Sequence, residues 1–118
     1  MKVLIADDDP HVRSAVGLVL ANEPGISIVT NTPTVDALAE SVLSTGADVV
    51  ILDWDMPGFR RTLEMRRLHA DAPNCQVIAL TAHPAERQAP FTPAAISLVC
   101  KYDAPERLLG VIRSLLDR

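Results

Sequence analysis

The stretch VVILDWDMPG, residues 49–58, decides the fold. Its first four residues are apolar without interruption, as in a strand buried on both faces of a parallel sheet, and the run ends abruptly on Asp53, Trp54 and Asp55. Pro57-Gly58 then breaks the chain. The same pattern precedes and follows it. Val3 to Ala6 is an apolar run closed by Asp7, Asp8 and Asp9; Gln76 to Leu80 is closed by Thr81; Ile96 to Cys100 is closed by Lys101. Ile26 to Thr30 is a short strand, the second in chain order.

Between these runs the spacing turns helical. Asp9-Pro10 supplies an N-cap with proline at the first helical position, and Val12, Ala15, Val16, Val19 and Leu20 follow on one face until Glu23-Pro24-Gly25. Val35, Leu38, Ala39, Val42 and Leu43 repeat the spacing up to Gly46, a natural C-cap. A less amphipathic helix is expected from about Arg60 to Ala70. The last helix opens on Asp103-Ala104-Pro105-Glu106, where Asp103 is read as the cap and Glu106 as its capping-box partner, and it carries the stripe Leu108, Leu109, Ile112, Leu115 and Leu116. Pro84, Pro90 and Pro93 leave room for only a shortened or irregular helix over residues 83–95. Strands alternating with helices predict an α/β fold, a doubly wound parallel sheet with right-handed crossovers and helices on both faces.

Length and composition narrow the function. The chain has 118 residues, 48% of them hydrophobic, which suits one domain over residues 1–118 that buries its core without metal or disulfide staples. Cys75 and Cys100 fit neither a disulfide framework nor a zinc spacing and read as thiols in a reducing compartment. The apolar run after Met1-Lys2 is too short for a secretion signal or a membrane span, so a cytoplasmic protein with no membrane contact is expected. The net charge of −4 is uneven: residues 1–59 carry −7 and residues 60–118 carry +3. An acidic first half argues against direct nucleic-acid binding and suits a cation.

In a doubly wound sheet ligands bind beyond the carboxyl ends of the strands, where strand order reverses. Asp7, Asp8, Asp53, Thr81 and Lys101 all fall at such ends. Clustered carboxylates repel one another unless a cation joins them or their pKa values rise. Magnesium is the natural cation, because it takes oxygen ligands and tolerates few protein donors. A hydroxyl and an ammonium opposite complete an oxyanion cradle suited to phosphoryl transfer onto a carboxylate.

These motifs, VLIADDDP (3–10), VVILDWDMPG (49–58), VIALTAH (77–83) and Lys101, resemble the receiver domains of two-component response regulators, including the single-domain chemotaxis regulator. The resemblance covers Lys2 to about Leu116. It implies a flavodoxin-like five-stranded sheet in order 2-1-3-4-5, phosphorylation on Asp53, Mg2+ held by Asp7, Asp8 and Asp53 with a backbone carbonyl from Asp55, and contacts to the phosphoryl group from Thr81 and Lys101. It further implies a histidine kinase or phosphotransfer protein as donor, and an output partner or an effector domain elsewhere as recipient of a conformational signal. On this reading the domain is a phosphoryl acceptor and not an enzyme.

The departures from the family pattern are specific. Leu98 stands where an aromatic switch residue is usual, Tyr102 where proline usually follows the lysine, and Arg60-Arg61 where Asp-Gly is common. Leu98, Tyr102 and the proline-rich segment 83–95 support an alternative, a receiver-like interaction module with little phosphorylation-dependent switching. Asp53-Trp54-Asp55 also fits the Asp-x-Asp of haloacid-dehalogenase phosphatases, but Met56 follows it and no downstream acidic metal motif appears. Arg60, Arg61, Arg66 and Arg67 read as a solvated helix face or a surface for an acidic partner. Trp54 either covers the site or packs on its loop, and His83 borders the phosphate or lies on the surface.

Overall fold

Alternate residues of each buried strand go to opposite cores, which is why the runs read as continuously apolar. In the computed structural model Val3, Ile5, Val49, Ile51, Ile78 and Leu80 join one core, while Leu4, Ala6, Val50, Leu52, Val77 and Ala79 join the other. The structure describes residues 1–34, 36–83, 96–103 and 105–117. Along them run β1(Lys2–Ala6), α1(Pro10–Ala21), β2(Ser27–Thr32), α2(Leu38–Thr45), β3(Val49–Asp53), α3(Arg61–Asp71), β4(Gln76–Thr81), β5(Ile96–Cys100) and α4(Pro105–Leu116). The irregular helix expected over 83–95 lies, beyond His83, outside the described residues.

All strand pairs are parallel and the order is β2-β1-β3-β4-β5, the flavodoxin-like arrangement expected from the sequence. Val16 and Leu20 of α1 and Leu108 and Ile112 of α4 cover one face, and Leu38 and Val42 of α2 with Met65 and Leu68 of α3 cover the other. Burying a side chain of this size contributes about 1.5–3 kcal/mol, so the two cores, rather than helix propensity, hold the layers together. Arg113 of α4 donates to both carboxylate oxygens of Glu23, at 2.7 and 3.1 Å, and ties that helix to the end of α1.

Local signals account for two of the helix ends. Asp9 caps α1, its carboxylate accepting from the His11 N–H at 2.9 Å, with Pro10 behind it. Gly46 closes α2 at φ 72°, a left-handed conformation that glycine adopts without penalty, and donates to the Val42 carbonyl. Three expectations are corrected. Helix α2 begins at Leu38, and Val35 lies outside the described residues. Leu43 is 57% exposed, because eight residues turn only one narrow face, Leu38, Ala39 and Val42, toward the core. Helix α4 begins at Pro105, so Asp103 stands one residue too early for the cap position and instead pairs with Arg107 at 3.3 Å.

Candidate functional site

Register assembles the site. The β1–β3 pairing sets Ala6 beside Leu52, so the next residues, Asp7 and Asp53, leave the sheet at the same level. The β3–β4 pairing sets Asp53 beside Leu80, and the β4–β5 pairing sets Thr81 beside Cys100, which delivers Lys101 one step further on. The Lys101 N–H continues this ladder, donating to the Thr81 carbonyl at 2.8 Å. Order reverses at β1, and the crevice opens there.

One carboxylate oxygen from each of Asp7, Asp8 and Asp53 lies within 4.8 Å of the other two. Asp7 and Asp53 are 1% and 3% exposed, while Asp8 faces solvent. The Asp7 Oδ1 accepts from the Asp9 N–H at 2.9 Å, and the Asp53 Oδ1 accepts from the Asp55 N–H at 3.0 Å. The Lys101 ammonium stands 3.0 Å from Asp53 Oδ2 and 3.4 Å from Asp7 Oδ2. That second contact is an ion pair without hydrogen-bond geometry, which leaves Asp7 Oδ2 a buried acceptor with no donor among the described residues. Arg13 reaches across from α1 to donate to the Asp7 carbonyl at 2.8 Å and fixes the start of this loop.

The electrostatics follow from one cation among three carboxylates. Burial, with the neighbouring Asp53 charge, pushes the Asp7 pKa above the usual carboxylate value despite the Asp9 N–H and Lys101. Burial likewise raises that of Asp53, against the opposing pull of Lys101. For Lys101 burial works downward, but Asp53 and Asp7 outweigh it and hold the ammonium above its ordinary value. The site therefore carries excess negative charge in a poorly solvated crevice. Oxygen-only donors, a half-exposed approach through Asp8 and an orphaned Asp7 oxygen are the chemistry of a hard divalent cation.

Thr81, fully buried, donates through its hydroxyl to Asp55 Oδ2 at 2.8 Å, and the Ala82 N–H donates to the same oxygen at 3.0 Å. The Thr81 hydroxyl oxygen also accepts from the His83 N–H at 3.1 Å, which sets exposed His83 on the rim. Every site residue read from the sequence is thus brought to one crevice. Two contributors went unread. Ala82 acts through its backbone, which no side chain announces. Arg61, grouped with a solvated face, turns inward: its Nε donates to the Trp54 carbonyl at 2.8 Å, its guanidinium lies 5.8 Å from the centre of the indole ring, and a terminal nitrogen is 3.9 Å from Asp55 Oδ1. Trp54 does not cover the site. It is buried in the core against Phe59, ring centres 5.7 Å apart and nearly perpendicular.

A five-stranded doubly wound sheet with this acidic crevice defines a class, and sequence comparison gives its family. Residues 3–113 match the response regulator receiver domain, and the chain belongs to that family. The response regulator UvrY of Escherichia coli K12 is 26% identical over 98% of this chain and 54% of its own length. A protein-glutamate methylesterase/protein-glutamine glutaminase of Anaeromyxobacter dehalogenans is 33% identical over 73% of the chain but only 25% of its own. The chain spans about half the length of the UvrY regulators it matches. Among solved structures, the RcsB response regulator of Salmonella typhimurium superposes with a TM-score of 0.85 at 26% identity, covering 99% of this chain and 60% of that one. The isolated receiver domain of the Salmonella protein, solved with the phosphomimetic BeF3-, gives 0.78 at 25% identity, covering 99% and 88%.

Proposed function

We propose that this domain accepts a phosphoryl group on Asp53 from a histidine kinase or phosphotransfer protein, with Mg2+ held by Asp7, Asp8, Asp53 and the Asp55 carbonyl, and passes a conformational signal to an output partner or an effector domain of the same polypeptide. The observation that carries the reading is the convergence of three carboxylates within 4.8 Å beside the Lys101 ammonium, with one Asp7 oxygen buried and without a donor among the described residues. Family membership supports it. A cytoplasmic setting belongs to the same proposal and suits the free thiols of Cys75 and Cys100. So does the lack of a direct nucleic-acid role, since residues 1–59 carry −7 and phosphate-backbone binding calls for a basic face.

Bound magnesium would supply positive charge for the ligating carboxylates and for the incoming phosphoryl oxygens. The chain's own residues do the rest. Asp53 presents a carboxylate already oriented at both oxygens, by the Asp55 N–H at Oδ1 and by Lys101 at Oδ2. It attacks phosphorus in line; the O–P bond forms as the donor's P–N bond breaks, and the bonding pair leaves with the imidazole. Lys101 follows the charge from the carboxylate to the phosphoryl group, and the Thr81 hydroxyl donates to a phosphoryl oxygen. The product is an aspartyl phosphate that self-hydrolyses slowly, so the domain acts as an acceptor and not as a turnover enzyme. Incubation with magnesium and acetyl phosphate, followed by intact mass, is expected to show one added phosphoryl group, absent in Asp53→Asn. No adduct with any phosphodonor would overturn the proposal.

A further inference from the structure

The Thr81 hydroxyl and the Ala82 N–H converge on a single point, and that point is occupied by Asp55 Oδ2, at 2.8 and 3.0 Å. Two donors aimed at one oxygen make an anion seat. Each donor has one hydrogen, so the seat serves one acceptor at full strength. Arg61 reinforces the occupant. It lies 3.9 Å from Asp55 Oδ1, and its own position is fixed by the bond to the Trp54 carbonyl. The Asp55 side chain is thus held at both oxygens, on the residue that follows Asp53-Trp54, with its backbone N–H bound to Asp53 Oδ1 at 3.0 Å.

We propose that the Asp55 carboxylate is an internal competitor of the phosphoryl group, seated on Thr81 and Ala82 in the unphosphorylated protein and released when Asp53 is loaded. This rests on the phosphoacceptor reading above. A phosphoryl oxygen and Asp55 Oδ2 cannot share the same two hydrogens, and two anions brought to one seat repel. Loading therefore draws on the fraction of molecules whose seat is open, and the apparent affinity for any phosphoryl mimic is reduced by that fraction. Arg61 remains beside the released carboxylate, so the expelled charge keeps a partner. Asp55 in this way sets how readily the domain is activated, without entering the transfer step through its side chain.

The test is a beryllofluoride titration followed by 15N NMR, on the wild type, Asp55→Ala and Asp55→Asn, each at a magnesium concentration shown to saturate that variant. Asp55→Ala is expected to bind about tenfold more tightly than the wild type, the factor that corresponds to ~1.4 kcal/mol. Asp55→Asn should fall between, since its amide oxygen still accepts but carries no charge. With neither magnesium nor beryllofluoride present, the Ala82 amide resonance should move upfield in Asp55→Ala, because its acceptor is gone. Binding by Asp55→Ala equal to or weaker than wild type would overturn the inference and leave the phosphoacceptor reading standing. Absence of binding in all three proteins would instead overturn that reading, and this inference with it. Binding by the variants alone would support a seat closed in the wild type. Should Asp55→Ala not fold, Asp55→Asn carries the same comparison.

Discussion

The Lys101 ammonium lies 3.0 Å from the Asp53 carboxylate, and both side chains are largely withdrawn from water. The same ammonium stands 3.4 Å from Asp7, so one cation serves two buried anions. Removing it leaves both uncompensated, a change that costs about 3–5 kcal/mol when a buried pair loses one member. Lys101→Met is therefore expected to lower the unfolding free energy of the metal-free protein by that order in urea titration. Magnesium should restore part of the loss. A variant as stable as the wild type in EDTA would show that Lys101 does not hold the site together.

The pH dependence has a definite sign. Asp7 and Asp53 have pKa values raised above 3.8 in the folded state, first by burial, so each binds its proton more tightly folded than unfolded. Their contribution favours folding at low pH and is lost as pH rises from the ordinary carboxylate value through the raised one. The magnesium-induced increase in Tm should consequently be larger at about pH 7 than at about pH 4.5, where protons compete with the metal. Asp7→Asn should flatten the pH profile of the metal-free protein. Thermal unfolding across the pH range, with and without EDTA, checks both.

Arg61 and Arg66 belong to the same helix and are not equivalent. Arg61 donates to the Trp54 carbonyl and lies against the indole, whereas Arg66 is exposed. Arg61→Ala should destabilise by about 1–2 kcal/mol through the lost hydrogen bond and ring contact. Arg66→Ala should stay within about 0.5 kcal/mol of the wild type, as a surface change does. Paired urea titrations of the two variants decide it.

Ala37, just before α2, sits at φ 54°, the one described non-glycine residue with positive φ. A left-handed conformation costs a residue with a Cβ roughly 1–2 kcal/mol, part of which glycine regains against its greater freedom when unfolded. Ala37→Gly is expected to raise stability by about 0.5–1 kcal/mol. A loss of stability in denaturant titration would mean that the backbone there is not strained.

The central strands and the site were legible for one physical reason. A strand covered on both faces must be apolar until it leaves the sheet, so Asp53, Thr81 and Lys101 stand out as the first polar residues after a run. β2 was legible only roughly, because an edge strand faces solvent: the structure begins it at Ser27 rather than Ile26 and extends it to Thr32. Helix α2 lost its first expected turn because the start of a helix without a side-chain cap leaves no mark in the sequence. The inward turn of Arg61 was invisible for another reason. Its partners are a main-chain carbonyl and a ring whose position depends on the packing of Phe59, and neither follows from helical spacing. The seat occupied by Asp55 likewise needs the β3–β4 register before Thr81 and Asp55 can be seen to meet.

Trp54 is the sole tryptophan of the chain, follows Asp53 directly, and is 1% exposed. Its N–H is bound to the Leu80 carbonyl at 2.8 Å, its own carbonyl accepts from Arg61, and its ring packs on Phe59. Any shift of Arg61, whose guanidinium lies 5.8 Å from the ring centre, must alter the field at the indole. The protein consequently carries its own optical reporter, a buried indole whose emission responds to the arrangement of charge beside the crevice.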